Sequence, residues 1–250
     1  MKIILNIMTH GDERIGLKVS KEIEKLHISK DTLAVQIANP RALAANKRFI
    51  DQDLNRSFPG KKDGNYEQRR AYNLLPAVKK ADMVIDIHST TSNLKDALIV
   101  TSMSKKIKEY IGVIKPKYLL LMNAVKNKDM ISHTKHGIAF EYGKDKDASV
   151  LKKIVMDIKR IFGHLGIIEP VALSKKNIET QYFNVTSTVA KPKGYKLMGN
   201  IKNYKLVKNG QSYARDRNKF LRAKEDFYPV LFGQKNYEDI FGFKAKRMSF

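Results

Sequence analysis

An α/β fold is predicted by three features of this 250-residue chain. Its first two thirds alternate short apolar runs with segments of helical period, the pattern of a sheet covered by helices. Hydrophobic residues make up 42% and charged residues 29%, which supplies a core and leaves no long tract biased toward disorder. After about residue 170, β-branched and aromatic runs separated by turn residues take over, and these predict a small β-rich C-terminal domain.

Residues 2–8 read as a buried first strand. Their basic-then-apolar start imitates a leader sequence, but Asn6 interrupts the run and His10 ends it. Residues 13–26 place Ile15, Val19, Ile23 and Leu26 at helical spacing, and 32–38 return to a strand, giving a βαβ opening. Residues 40–65 carry Pro40, Pro59, Gly60 and Gly64 without a sustained period, so a long irregular connection is expected there, of the kind that usually carries function. A helix disturbed by Pro76 is expected over 66–80, then a short apolar strand over 82–88. Further strands are predicted at 96–101, 117–122 and 137–142, and helices at 104–113 and 147–163. In the last of these Val150, Leu151, Ile154, Val155, Ile158, Ile161 and Phe162 form one face, and Gly163 and Gly166 are expected to stop it. Beyond it, 179–189 and 203–208 read as strand-like runs, the second followed by the hairpin-type pair Asn209-Gly210. The domains are placed at 1–168 and 169–250.

Cysteine is absent, which removes disulfides and thiolate metal sites and leaves His, Asp and Glu as the available ligands. That composition fits a reducing compartment, and a cytoplasmic location is expected. No run of about 18 apolar residues occurs, so no membrane span is expected. Lys and Arg number 48 against 25 Asp and Glu, a formal charge of +23 that favours anionic partners. Because the lysines are spread along the whole chain, a solvated basic surface is the first reading. Steering of a small anionic substrate is the second, and nucleic acid, for which no motif is present, is not the expected partner. Composition says nothing about oligomeric state.

His10-Gly11-Asp12-Glu13 follows the first strand and puts a nitrogen and an oxygen ligand three residues apart on a turn. His88 ends an apolar strand, and in open α/β sheets ligands collect beyond such ends. Two His and one carboxylate are the protein ligands of a catalytic zinc that keeps a position open for water. Asp86, two residues before His88, would share its face of the strand and is a candidate to hold a ring nitrogen. Taken singly, each of these residues is more often an ordinary polar side chain.

Together with their neighbours they carry a resemblance. Three blocks are similar, in order and spacing, to the succinylglutamate desuccinylase/aspartoacylase family, a branch related to zinc carboxypeptidases. They are His10-Gly11-Asp12-Glu13, the segment from Asn39-Pro40-Arg41-Ala42 to Arg48-Phe49-Ile50-Asp51-Gln52-Asp53-Leu54-Asn55-Arg56, and Asp86-Ile87-His88-Ser89-Thr90-Thr91-Ser92-Asn93. Gly137-Ile138-Ala139-Phe140-Glu141-Tyr142-Gly143 is a fourth, weaker block, and the details lie nearer aspartoacylase. The resemblance implies a zinc-carboxypeptidase-like mixed sheet flanked by helices, with a β-rich C-terminal domain that contributes to the substrate pocket. It implies one Zn2+ on His10, Glu13 and His88, with Glu141 as general base and acid. Arg48 would polarise the scissile carbonyl, and Asn55 with Arg56 would hold a substrate carboxylate. Tyr237, after Tyr228-Pro229-Val230, would be a further donor to that carboxylate. Asp53 reads, from its residue type, as an N-cap or loop anchor that positions Asn55 and Arg56.

The implied activity is hydrolysis of the amide of an N-acylated acidic amino acid resembling N-acetylaspartate, a small anionic substrate. Aspartoacylase-like enzymes use an additional arginine upstream of the general-base strand, whereas Lys126-Asn127-Lys128-Asp129-Met130-Ile131 contains none here. The alternatives are a related zinc carboxypeptidase or deacylase acting on another carboxylate-bearing amide, and a basic nucleic-acid-binding protein with a vestigial metal site.

Overall fold

The computed structural model describes residues 1–90, 96–172 and 179–249. Thr91, Ser92 and Asn93 of the third block lie outside the described residues. The chain forms two compact units, one of residues 1–119 and 125–180, the other of residues 120–124 and 181–250.

The first unit is built on a mixed sheet. Strands β1 (Ile3–Ile7), β2 (Leu33–Ile37) and β3 (Met83–His88) run parallel, β2 and β3 flanking β1. Strand β4 (Ala97–Val100) lies antiparallel to β6 (His136–Glu141), which is itself parallel to β3. Strand β5 (Tyr118–Met122) falls at the division, its last three residues belonging to the second unit. The chain leaves β1 for β2 on one side and returns to β3 on the other, so the sheet reverses its winding between β1 and β3. Ligands in such sheets bind beyond the carboxyl ends of the strands at that reversal.

Strand alternation divides the core between the two faces. Ile4 and Val84 pack under helix α3 (Tyr66–Lys80), through its Ala71, Leu74 and Val78. The opposite face, which carries Ile7, meets helix α1 (Ile15–Glu24), where a Cβ on Gly16 would stand 2.9 Å from that of Ile7. The 40–65 connection is not wholly irregular. It opens with α2 (Pro40–Ala45), capped by the Asn39 side chain, begun by proline and ended by Asn46 in a left-handed conformation. Six residues between strong stop signals are too few to show a hydrophobic period.

Helix α3 runs through Pro76 without ending, held at its start by a reciprocal capping box between Asn65 and Gln68. Helix α4 (Lys105–Ile114) is capped by Ser104. Helix α5 (Ala148–His164) extends past Gly163, and the left-handed residue comes later, at Gly166. Its buried face carries Asp157, which accepts from Tyr142 Oη (2.9 Å), Lys153 Nζ (2.8 Å) and Arg160 (2.8 Å).

In the second unit β7 (Gln181–Ala190), β11 (Tyr228–Val230) and β12 (Ile240–Met248) form an antiparallel group with β12 in the middle. Strands β8 (Lys196–Leu197), β9 (Ser212–Asp216) and β10 (Lys219–Arg222) form a separate antiparallel sheet. The 203–208 run is not a strand, since only Val207 bridges, to Phe227. Asn209-Gly210 makes a turn with Gly210 left-handed, but the two-residue hairpin connection is Arg217-Asn218 between β9 and β10. Turn chemistry accounts for the Asn209-Gly210 turn, while the single bridge of the run joins two buried residues, Val207 and Phe227.

Asp157→Ala would leave a buried tyrosine and two cations without their shared acceptor. A loss of about 3 kcal/mol in denaturant unfolding is expected from breaking such a cluster.

Candidate metal centre

The polar residues of the site climb one face of the sheet at two-residue spacing. Asn6 pairs with Asp86, Asp86 with Ala139, and one step toward the carboxyl ends His88 pairs with Glu141. Just past β1 the chain turns sharply at Met8, which has a φ of 59°, and brings His10 and Glu13 over the same edge. The turn fits only because residue 11 is glycine, since a Cβ there would lie 2.1 Å from the Ala42 backbone. Asp145 then caps α1, accepting from the backbone of Arg14 (2.9 Å) and Ile15 (3.0 Å), which steadies the element that starts directly after Glu13.

His10, Glu13 and His88 are brought together. All three are buried, and one ligand atom from each lies within 4.8 Å of the others. His10 Nδ1 is 2.7 Å from Glu13 Oε1 and His88 Nδ1 is 2.9 Å from Glu13 Oε2. Both rings thus turn the same nitrogen inward and the other toward a carboxylate: His10 Nε2 lies 3.2 Å from Asp53 Oδ1, and His88 Nε2 2.8 Å from Asp86 Oδ2. Two imidazoles and one carboxylate converging, each ring backed by a second carboxylate, is a donor set that fits a divalent metal.

Charge at the site explains the shifts. Burial and the Arg48 charge press the His10 imidazole down, but Glu13 and Asp53 outweigh them and leave it raised. For His88 burial is overcome by Asp86 and Glu13, which hold it well above the usual 6.5. Burial opposes ionisation of Glu13 and Asp53, yet the neighbouring imidazoles hold both carboxyls well below their ordinary range, Arg48 and Arg56 adding to the effect at Asp53. Glu141, beside His88 on β6, moves the other way. Burial, reinforced by the Glu13 charge, pushes its carboxyl up to about 7 against the pull of His88, His10 and Arg48.

Arg48 donates to Glu13 Oε1 (3.0 Å) and Asp53 Oδ2 (3.2 Å), which places its guanidinium beside the inward-facing atoms. Asp53 caps the short helical turn Leu54–Arg56 by accepting from Asn55 N (2.8 Å), the anchoring expected of it. Asn55 Nδ2 lies 3.2 Å from His88 Nε2, and Arg56 donates to the Asn55 carbonyl (2.7 Å). Tyr237 belongs to the second unit, where its ring meets Phe243 edge-on and its carbonyl accepts from Lys191 Nζ.

One residue of the support was not legible beforehand. Glu67, fully buried in the first turn of α3, accepts from the backbone N–H groups of Ile50 (2.7 Å), Asp51 (3.0 Å) and Gln52 (3.3 Å) and from Asn39 Nδ2 (3.1 Å). It pins the segment that carries Arg48 and Asp53. In the sequence it looks like any acidic residue that complements a helix N-terminus.

The model of the succinylglutamate desuccinylase/aspartoacylase catalytic domain matches residues 2–148, more than half of the chain. The chain belongs to this family. An N-acyl-aromatic-L-amino acid amidohydrolase (carboxylate-forming) of Xenopus tropicalis is 37% identical over 101 residues, 34% of this chain and 33% of that protein. A probable aspartoacylase of Trichodesmium erythraeum is 32% identical over 155 residues, 54% of this chain and 53% of that protein. The chain thus matches a third to about half the length of these curated relatives. Among solved structures, murine aminoacylase 3 has a TM-score of 0.76 at 18% identity, covering 99% of this chain and 95% of that one. A succinylglutamate desuccinylase from Vibrio parahaemolyticus has a TM-score of 0.74 at 19% identity, covering 99% and 82%. At these identities the likeness establishes the desuccinylase/aspartoacylase fold, and the described residues include no helix long and apolar enough to cross a membrane.

Two outcomes are expected of this desuccinylase/aspartoacylase-family site. A metal must displace protons from two imidazoles whose raised pKa values favour the charged form, so affinity for divalent metal should fall as pH drops and binding should release protons. Isothermal titration in buffers of different ionisation enthalpy reads both. Glu67→Leu would strand three backbone donors, and a destabilisation of about 3 kcal/mol or more in chemical denaturation is expected.

Proposed function

We propose that the chain is a zinc-dependent amidohydrolase cleaving the amide of an N-acylated acidic amino acid, N-acetylaspartate-like, to a carboxylate and a free amino acid. The observation that carries this reading is the convergence of two imidazole Nδ1 atoms and the Glu13 carboxylate, with a carboxyl poised near neutrality alongside at Glu141. Nitrogen and oxygen donors without sulfur, three in number, favour zinc with an open position. Bound there, Zn2+ would supply an acidified water and polarisation of the scissile carbonyl.

The remaining work falls to the chain. Glu141 accepts the proton of the attacking water and returns it to the departing amine, a double role suited to a carboxyl poised at about 7. Arg48 donates to the carbonyl oxygen as negative charge gathers on it. Its planar fork, already turned toward Glu13, offers a directed charge that a lysine would not. Asn55 and Arg56, on the turn anchored by Asp53, bind the substrate carboxylate. Tyr237 is a further donor to that carboxylate in this reading, on the strength of the resemblance. Asp86 and Asp53 hold the imidazoles so that Nδ1 faces inward. The positive charge of the chain draws anionic substrates toward it.

A second reading concerns the substrate alone. The Xenopus relative is named for N-acyl aromatic amino acids, and no arginine lies between residues 124 and 136 to grip a second substrate carboxylate. Hydrolysis rates for N-acetylaspartate, N-succinylglutamate, N-acetylphenylalanine and short peptides decide between them, and activity on none with zinc bound would refute the amidohydrolase assignment. Glu141→Gln should keep one zinc per chain and lose about 10²–10⁴-fold in kcat. His88→Ala should lose the metal itself, read by elemental analysis.

A further inference from the structure

Asn6 is fully buried in the middle of the otherwise apolar strand β1, and the reaction makes no direct use of it. An unpaired amide there would cost about 1–3 kcal/mol. It is instead fully engaged, and each bond has a direction. Gln36 Nε2, on β2, donates to Asn6 Oδ1 (3.0 Å). Asn6 Nδ2 donates to Asp86 Oδ1 (2.7 Å) and to Thr9 Oγ1 (2.8 Å), and Thr9 Oγ1 in turn donates to Asp86 Oδ1 (2.9 Å). Gln36, Asn6 and Asp86 stand in one cross-strand row over three adjacent parallel strands.

The directions close on the metal ligand. Two donors occupy Asp86 Oδ1, so its remaining oxygen, Oδ2, is the acceptor that faces His88 Nε2 at 2.8 Å. Both ring nitrogens face a carboxylate, so a metal that enters among His10, Glu13 and His88 displaces the proton on Nδ1, the atom that faces Glu13, while Nε2, held by Asp86, keeps its hydrogen. Turned over, the Asn55 amide would present its buried and unpartnered Oδ1 to the same N–H, in agreement with that tautomer.

We infer that Asn6 is a positioning residue for the metal centre: with Thr9 and Gln36 it orients Asp86, and through Asp86 it fixes His88 as the Nε2–H tautomer with Nδ1 free to ligate. The inference rests on the proposed zinc site. It sets a tautomer through hydrogen bonds that reach the edge strand β2, beyond the carboxylates that touch the ligands.

The test measures zinc affinity of the full chain by competition with a chromophoric chelator at fixed pH. It is paired with 1H–15N correlation of the histidine rings in zinc-loaded protein and melting of the metal-free protein. Asn6→Leu is expected to weaken zinc binding about tenfold, the low end for loss of an outer-shell partner, and to move the His88 Nε2–H resonance. Thr9→Val and Gln36→Met should act in the same direction with smaller effect, and they keep the test open if Asn6→Leu does not fold. Zinc affinity within twofold of wild type and an unmoved His88 resonance in all folded variants, even with a lowered melting temperature, would make Asn6 merely structural and overturn the inference. A wild-type chain that takes up no zinc overturns the metal-centre reading itself, an outcome visible before any variant is made.

Discussion

Everything at the candidate centre hangs on the register of two parallel strand pairings. Because β1 pairs with β3 so that Asn6 faces Asp86, and β3 with β6 so that His88 faces Glu141, His88 of the candidate metal triad, the Asp86 carboxylate behind it and the raised Glu141 carboxyl share one face of the sheet. A slip by one residue would turn His88 and Asp86 to the opposite face together. The apolar residues below them, Ile4 and Val84 under α3, hold that register, so the core and the site are consecutive layers of the same strands.

The site concentrates charge that is costly to bury, and its arrangement shows how that cost is met. Glu13, Asp53 and Asp86 each face an imidazole, and Arg48 bridges two of the three carboxylates. Among the described residues no ion pair of this kind reaches Glu141, and burial raises it toward neutrality instead. Glu13, in the loop after β1, and Glu141, at the end of β6, are thereby given opposite tendencies, one held ionised and the other raised toward neutrality.

How much could be read in advance follows from the range of the interactions. The strand–helix alternation of the first unit and the candidate triad His10, Glu13 and His88 are legible because each depends on a local period or a local block. Asn39-Pro40-Arg41-Ala42, a local block in the sequence, caps and starts a six-residue helix against which Gly11 packs. Glu67 carries no local signal, since its four donors come from residues 15 to 28 positions earlier in the chain. The run at 203–208 misled because β-branched composition alone does not supply a pairing partner.

The sequence by itself determined the strand–helix alternation of the first unit, the absence of thiolate ligands, and the residue types offered to a metal, since composition and short-range periodicity are properties of the chain alone. Only the tertiary structure decided which nitrogen of each histidine faces inward, which carboxylate backs which ring, and why an asparagine belongs inside an apolar strand. Apart from the local pairs His10–Glu13 and His88–Asp86, those are settled by hydrogen bonds between residues 30 to 80 apart in sequence, and their directions exist only once the strands lie side by side.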